Sequence, residues 1–209
     1  MEITIIFFLS LTIALVGVIP PGLLNMTAAK ISLKEGASRG IIFSIGVCVV
    51  VCLQTYVAAI FAKYLQNHPN VIEILQRVAL VILVLITIYF LALAQRKPKE
   101  KANIKVRSKH SRFFHGMLLS SLNVFPIPYQ AYMTTTIACF GWMKFDSVSI
   151  GSYVAGAAMG TFIMLYVYIF FFDKIKGRAF TSQKNMNYII GSITGVIAVF
   201  TLINILKEL

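Results

Sequence analysis

Two clusters of proline and asparagine interrupt otherwise apolar stretches of this chain, and they are its best candidates for binding chemistry. In the first, Pro20, Pro21 and Gly22 precede Asn25 within an uncharged run over Ile3–Ala29. Proline removes a backbone donor and clashes with the preceding turn, so a continuous helix should break here. A helix that restarts after such a break presents unpaired N–H groups and the positive end of its dipole, which together bind a carboxylate or another anion.

The second cluster has a similar composition. Ser120, Ser121 and Asn123 come just before Pro126 and Pro128, so a second helix break is expected after Asn123. Asn25 and Asn123 each place an amide next to a break, where it can donate to or accept from a ligand. The sequence therefore predicts substrate-binding residues at Pro21, Gly22, Asn25, Asn123 and Pro126.

Two glutamines add polar groups to apolar segments near these breaks. Gln54 lies beside Tyr56 in one segment, and Gln130 lies beside Tyr132 in another. Both glutamines are candidates for the lining of the same site, but a satisfied hydrogen bond between two helices would also account for them. The breaks have two interpretations as well, since proline alone often only kinks a transmembrane helix, whereas a discontinuous helix lines a substrate site.

The composition indicates an all-α integral membrane protein. The chain has 209 residues, a mean hydropathy of +0.83 and 12% charged residues, about half the share that is usual in soluble domains. Its uncharged runs are each near or above the roughly 20 residues that cross a bilayer. We therefore predict six transmembrane helices, although the run with Pro126 and Pro128 is also compatible with a re-entrant segment. The runs are Ile3–Ala29, Gly40–Ala62, Val78–Ala94, Met117–Met143, Ser147–Phe172 and Asn185–Leu206.

The basic residues predict the orientation of these helices. Of the 19 Lys and Arg residues, 15 fall on the face that holds the loops near residues 31–39, 95–112 and 173–184. By the positive-inside rule this face is cytoplasmic, and both termini lie outside. The loop over residues 96–112 is basic enough to attract anionic lipid headgroups, which explains the net charge of +12 without a nucleic-acid partner.

The two halves of the chain follow the same plan. Residues 1–95 and 113–209 each contain three predicted spans, of which the first is broken, and the basic linker 96–112 joins them. Because three is an odd number, the second half must insert upside down. The sequence thus predicts two inverted three-helix repeats with broken helices 1 and 4, a layout common among secondary transporters.

Other functions lack the residues they would need. The seven carboxylates lie at span ends or in loops, which disfavours transport of metal cations. The three histidines also lie in or beside loops, so we predict no metal site, no cofactor and no enzymatic activity. The pairs Gly156–Gly160 and Gly191–Gly195 are typical of helix packing or of a homodimer interface.

The glycine spacing in the first half, together with the motif around Asn123, resembles a known family. Pro21-Gly22 is followed by Gly36 and Gly40, and in the second half Phe113 precedes Gly116 with Asn123 seven positions later. In this order and spacing the chain resembles the LysE/RhtB-type amino-acid exporters, a family of small six-span bacterial permeases, over nearly its whole length.

The chain departs from the family pattern beside both breaks. Leu23 and Leu24 stand where the family has Pro and Asn, and Val124 and Phe125 stand where it has Pro and Lys. These replacements imply a more apolar site, which suits a larger or more hydrophobic amino acid or derivative.

The resemblance implies export of an amino acid or similar metabolite across the bacterial inner membrane, driven by an ion gradient and working by alternating access. The substrate carboxylate would lie on the helix that restarts after Gly22, with Asn25 and Asn123 orienting it. The alternative is a membrane scaffold or assembly factor that keeps the transporter fold without transporting.

Overall fold

The computed structural model describes residues 2–20, 22–93 and 108–175, together with twelve positions of the final segment. Those positions are 188, 191, 192, 195, 196, 198, 199, 201–203, 205 and 206. Within this part of the chain the secondary structure is helical and contains no strand. The chain forms two compact units, one of Met1–Gln66 with Ile104–Ile175 and one of Asn67–Asn103 with Lys176–Leu209. Each unit therefore combines segments from both predicted repeats.

Seven α-helices have defined bounds in the described part of the chain. They are α1 (Glu2–Val18), α2 (Leu23–Glu35), α3 (Ala37–Gln66), α4 (Pro69–Ile88), α5 (Lys109–Leu122), α6 (Pro126–Cys139) and α7 (Ser147–Ile175). In the second unit α4 begins with Pro69 in its first turn and continues into a π-helical turn over Tyr89–Leu93. The other six helices belong to the first unit.

Two of the described helices, α3 and α7, are long and apolar enough to cross a membrane. The bent pair of α1 and α2, whose axes meet at 78°, counts as a third if it is one span. Helices α5 and α6 have 14 residues each, or roughly 21 Å, which is less than the roughly 30 Å of hydrocarbon. Neither can cross alone. The chain is thus a membrane protein whose described part is helical, and the full count of six spans stays a prediction.

The helices are interrupted at both predicted places. Helix α1 ends at Val18 and α2 begins at Leu23, whereas α5 ends at Leu122 and α6 begins at Pro126. Proline suits the first helical position of α6 because its missing N–H would have no intrahelical partner there. Pro21 lies outside the described residues. Most of the predicted basic linker, residues 96–107, lies outside them as well, and Ser108 caps α5 by accepting a hydrogen bond from the Ser111 N–H at 3.2 Å.

Glycines allow α3 and α5 to approach until their backbones touch. A Cβ at Gly46 would collide with the carbonyl group of Phe113, and a Cβ at Gly116 would collide with that of Phe43. Each helix therefore places a glycine against a carbonyl of the other. Small residues at such crossings are how helices pack closely in lipid, where no hydrophobic force drives them together.

The pair α1 and α7 makes the same kind of contact. A Cβ at Gly156 would collide with the Phe7 carbonyl and the Ser10 hydroxyl, and one at Gly160 would collide with the Leu11 carbonyl. The predicted small-residue pair Gly156–Gly160 thus packs against α1 of the same chain. A homodimer remains an untested prediction.

A carboxylate fixes the start of α7. Asp146 Oδ1 accepts hydrogen bonds from the Val148 and Ser149 N–H groups, both at 3.0 Å, and Oδ2 accepts one from the Ser149 hydroxyl at 2.7 Å. The Ser149 N–H is the main cause of the lowered pKa of Asp146, followed by the Ser149 hydroxyl. Because the pKa of Asp146 is lowered in the folded state, the cap contributes its full stabilisation of α7 at pH values above the ordinary pKa of an aspartate. This stabilisation is lost as the pH falls through the lowered pKa.

The glycine contact between α3 and α5 can be tested with one methyl group. We expect Gly46→Ala to destabilise the protein by roughly 1–3 kcal/mol, because the backbone of Phe113 cannot move aside. Thermal unfolding in detergent measures the loss. Gly151→Ala is the matched control: no atom lies within 4 Å of its Cβ position, and alanine favours a helix over glycine. A Gly46→Ala protein as stable as the Gly151→Ala protein would contradict this packing.

Candidate functional site

The two breaks border one cavity inside the first unit. It has a volume of about 90 Å³, whereas a single water needs roughly 10–15 Å³ by the same measure. A small organic molecule is therefore a suitable occupant. The lining residues come from the two breaks and the helices beside them, and also from α3 and α7. They are Ala14, Gly17, Val18, Leu24, Asn25, Val51, Asn123, Phe125, Pro126, Tyr129, Gln130, Thr161 and Leu165.

Asn25 closes the first break by bonding the end of the preceding helix. The last carbonyls of a helix have no intrahelical donor, and the Asn25 Nδ2 group donates to the Val18 carbonyl at 2.7 Å and to the Pro20 carbonyl at 3.1 Å. Asn25 is buried, with 3% of its surface exposed. Because both acceptors are carbonyls, the nitrogen of the amide must face them, and Oδ1 remains as the group without a hydrogen bond.

A tyrosine from α7 completes the same break. The Tyr168 hydroxyl donates to the Ile19 carbonyl at 2.7 Å. Three consecutive carbonyls, from Val18 to Pro20, thus each accept a hydrogen bond from a side chain. These bonds hold the end of α1 at the break.

Gln54 of α3 does for the second break what Asn25 does for the first. Its Nε2 group donates to the Ser120 carbonyl at 3.1 Å and to the Asn123 carbonyl at 2.9 Å. Gln54 is buried and does not line the cavity. Three oxygens near it, Gln54 Oε1, Thr55 Oγ1 and Ser120 Oγ, are buried without a hydrogen-bond partner among the described residues. These three oxygens can therefore still accept hydrogen bonds, although they lie beside the second break and outside the cavity lining.

The helix that restarts after the first break can bind an anion. Gly22 precedes α2 with an extended backbone and no side chain caps this end. The N–H groups of Leu23, Leu24 and Asn25 have no acceptor within the helix, and Leu24 and Asn25 line the cavity. The start of α2 therefore offers backbone donors and a positive dipole end at the cavity wall.

The helix that restarts after the second break offers far fewer donors. Pro126 and Pro128 have no N–H, the Ile127 N–H donates to the Val124 carbonyl at 3.2 Å, and the Tyr129 N–H donates to that of Phe125 at 3.4 Å. The first turn of α6 is therefore closed to an anion. Of the two helix starts, only α2 can bind a carboxylate through its backbone.

Tyr129 forms an aromatic wall of the cavity. Its hydroxyl donates to the Ile13 carbonyl at 2.9 Å, and its ring stacks on Phe125 with the ring centres 6.1 Å apart. A Cβ at Gly17 would lie 2.8 Å from this ring. Glycine at position 17 thus provides the space in which the ring crosses α1.

Gln130 lies between the cavity and α7. It is buried, and its Oε1 accepts a hydrogen bond from the Tyr153 hydroxyl at 2.7 Å. Its Nε2 group donates no hydrogen bond to any acceptor in the described part of the chain. The polar atoms left for a ligand are thus this amide nitrogen, Asn25 Oδ1, the Asn123 amide and the Thr161 hydroxyl. Among the described residues, no charged side chain lines the cavity.

Four of the seven predicted site residues come together here: Asn25, Asn123, Pro126 and Gln130 all line the cavity. Gln54 lies behind the wall and holds the second break. Gly22 is exposed outside the lining, and Pro21 lies outside the described residues. Tyr132, the candidate neighbour of Gln130, is 68% exposed on the other side of α6.

Sequence reasoning missed the three tyrosines whose hydroxyls fix the site, Tyr129, Tyr153 and Tyr168. A signal existed for Tyr129, since it directly follows Pro128 in the first turn of α6. Tyr153 and Tyr168 lie in the apolar run of α7, where a tyrosine is normally interpreted as a hydrophobic packing residue. The described residues contain no group of three His, Cys, Asp or Glu side chains that could hold a metal ion.

Comparison with family models shows the family of this chain. A family model described as LysE type translocator matches residues 15–205, which is most of the chain. No curated protein and no solved structure matches the chain significantly.

Asn25 and Asn123 should differ in their effect on stability. Asn25→Leu removes both part-buried bonds to the end of α1, and a carbonyl left without a donor away from water costs roughly 1–3 kcal/mol. Asn123→Leu removes no side-chain hydrogen bond and should change the free energy of unfolding by roughly 0.5 kcal/mol or less. Thermal unfolding of both variants in one detergent gives the comparison. Equal losses would show that Asn25 does not hold the break.

Proposed function

Because the chain belongs to the LysE type translocator family, we propose that it exports an amino acid or a similar small metabolite across the bacterial inner membrane. The observation that carries this proposal is the cavity of about 90 Å³ between two interrupted helices. Discontinuous helices around a central site are how many secondary transporters bind their substrates.

The polar groups of the cavity match the two ends of an amino acid. The substrate carboxylate lies at the start of α2, where the backbone donors of Leu23 and Leu24 and the helix dipole face it. Both N–H groups of the Asn25 amide bond the chain itself, so only its oxygen is available, and an acceptor suits the ammonium group. Asn123 and Gln130 add hydrogen-bond donors on the opposite wall.

The lining favours an uncharged side chain on the substrate. Val51, Phe125 and Leu165 contribute apolar surface, and the described lining residues include no carboxylate or cationic group to pair with a second charge. This agrees with the replacement of the family's Asn and Lys by apolar residues beside the breaks.

Many transporters that work by alternating access are built from two inverted repeats, and the packing of the first unit supports such repeats here. Phe113 follows Phe7 by 106 residues and Gly156 follows Gly46 by 110, and the contact of Gly46 with Phe113 has its counterpart in that of Gly156 with Phe7. The cavity shows the same offsets: Asn123 follows Gly17 by 106, Gln130 follows Leu24 by 106, and Thr161 follows Val51 by 110. A six-helix inverted repeat would place equivalent residues on both walls in this way.

We propose further that the basic face is cytoplasmic, that both termini are outside, and that an ion gradient drives transport. The distribution of Lys and Arg, 15 of 19 on one face, supports this orientation. In this arrangement the two repeats rock about the cavity and open it first to one side and then to the other.

Overexpression should protect cells against toxic amino acids that fit the cavity. We expect resistance to analogues with apolar side chains and none to analogues with a second charge, measured as growth across a panel of amino acids and dipeptides. Counterflow of the protective compound in proteoliposomes then tests transport by the purified chain. A protein that moves no member of the panel, while its deletion disrupts a membrane complex, would favour the scaffold alternative.

Asn123→Ala should impair transport without impairing folding. Losing a hydrogen bond to a charged ligand costs roughly 1.5–3 kcal/mol, which is about a 10- to 150-fold rise in the half-saturating substrate concentration. Ser121→Ala is the matched control, because Ser121 is exposed and its hydroxyl bonds the Met117 carbonyl of its own helix at 2.9 Å. An Asn123→Ala protein that transports as well as the Ser121→Ala protein would place the substrate elsewhere.

A further inference from the structure

The two buried amides that line the cavity are fixed in opposite senses. Asn25 commits its Nδ2 group to the carbonyls of Val18 and Pro20, which leaves its oxygen for a ligand. Gln130 commits its Oε1 to the Tyr153 hydroxyl at 2.7 Å, which leaves its nitrogen. Both amide side chains are buried, Asn25 with 3% and Gln130 with 4% of its surface exposed. One wall of the cavity therefore offers an amide acceptor, and the opposite wall offers an amide donor.

The orientation of the Gln130 amide follows from its neighbours. Thr134 does not donate to this amide, because the Thr134 hydroxyl already donates to the Gln130 backbone carbonyl at 2.6 Å. A tyrosine hydroxyl has one proton to donate, and Tyr153 directs it to Oε1. Gln130 Nε2 has no acceptor among the described residues and is not one of their fully buried unpaired atoms. The surface that this nitrogen retains therefore faces the cavity that Gln130 lines.

Tyr153 is held firmly enough to fix this amide. Its side chain is completely buried. It belongs to an apolar cluster whose other members are Ile6, Ala59, Ile137, Met143 and Ile150. Close packing of this kind keeps an aromatic ring in one rotamer. Gln130 by contrast has a long side chain with several rotatable bonds, and fixing such a side chain before a ligand arrives removes part of the entropic cost of binding.

We propose that Tyr153 is a positioning residue for the substrate carboxylate. Its hydroxyl holds the Gln130 amide with the nitrogen in the cavity, so that Nε2 donates to one carboxylate oxygen while the backbone donors at the start of α2 bind the other. Tyr153 is not part of the cavity lining and acts only through Gln130. This inference rests on the proposed function, since it names the side chain that binds the second carboxylate oxygen of the transported amino acid.

A double-mutant cycle on the purified protein in nanodiscs tests the role of Tyr153. The probes are leucine, whose aliphatic side chain suits the apolar lining, and isocaproate, which is leucine without its ammonium group. Isothermal titration calorimetry measures the Kd of both probes. We expect Gln130→Met to raise each Kd by about 10-fold or more, and Tyr153→Phe to raise it by about 2- to 12-fold. In the Gln130→Met protein, Tyr153→Phe should have no further effect on either Kd.

Spectra of the ligand-free protein test the fixed amide by itself. In protein labelled with 15N-glutamine, the side-chain signals of Gln130 are those that Gln130→Met removes. Tyr153→Phe should shift these signals more than those of the other five glutamines. Tyr166→Phe is the matched control, because it removes the hydroxyl of an exposed tyrosine of the same helix and should change neither the spectrum nor either Kd. The double variant loses donor and acceptor together, so it should fold.

Three outcomes would overturn the role of Tyr153 alone. These are an unchanged Kd in Tyr153→Phe, an equal rise in Kd from this substitution with and without Gln130, and glutamine signals that ignore it. A wild-type protein that binds neither leucine nor isocaproate would overturn the assignment of the carboxylate to Gln130. The proposed function fails only if the chain also transports no member of the amino-acid panel, and the spectra would then still decide whether Tyr153 fixes the amide.

Discussion

A helix that stops inside a membrane exposes carbonyl groups to which lipid cannot donate hydrogen bonds, and both breaks of this chain are organised by that constraint. At the first break Asn25 and Tyr168 donate to three consecutive carbonyls. At the second break Gln54 donates to two. These side chains allow the backbone to be irregular where the cavity lies, because carbonyls at both breaks accept hydrogen bonds from protein groups.

The positions of the breaks could be read from the sequence because proline acts locally. Its ring forbids the preceding helical hydrogen bond whatever surrounds it, so Pro20 and Pro126 marked the interruptions without knowledge of the fold. The roles of the amides could not be read in the same way. Whether Gln54 faces a ligand or a carbonyl depends on which helix packs opposite, and here its partners lie 66 and 69 residues away. The burial of the ion pair of Glu35 and Arg112 was missed for a related reason, since the two residues lie 77 positions apart in the chain.

The two breaks share a plan but differ in chemistry. Each combines an interrupted helix with an amide that bonds the broken end, yet the amide comes from the restarting helix at the first break and from α3 at the second. Prolines at the first and third positions of α6 remove donors there, whereas the first turn of α2 keeps its own. Similar frameworks thus produce one end suited to an anion and one that is closed to it. An asymmetric ligand with a single carboxylate fits such a site in one orientation.

The glycine contacts also decide which parts of this chain can move as rigid bodies. Where Gly46 and Gly116 touch carbonyls of the facing helix, no side chain lies between the backbones that could change rotamer and let one helix slide. Helices α3 and α5 should therefore stay together in any motion, and so should α1 and α7. Each of these two rigid bodies then contains one helix from the first half of the sequence and one from the second half. Residue 36, which joins α2 to α3, and residues 123–125, which join α5 to α6, are short connections from these bodies to the helices beside the cavity, and hinges are expected there.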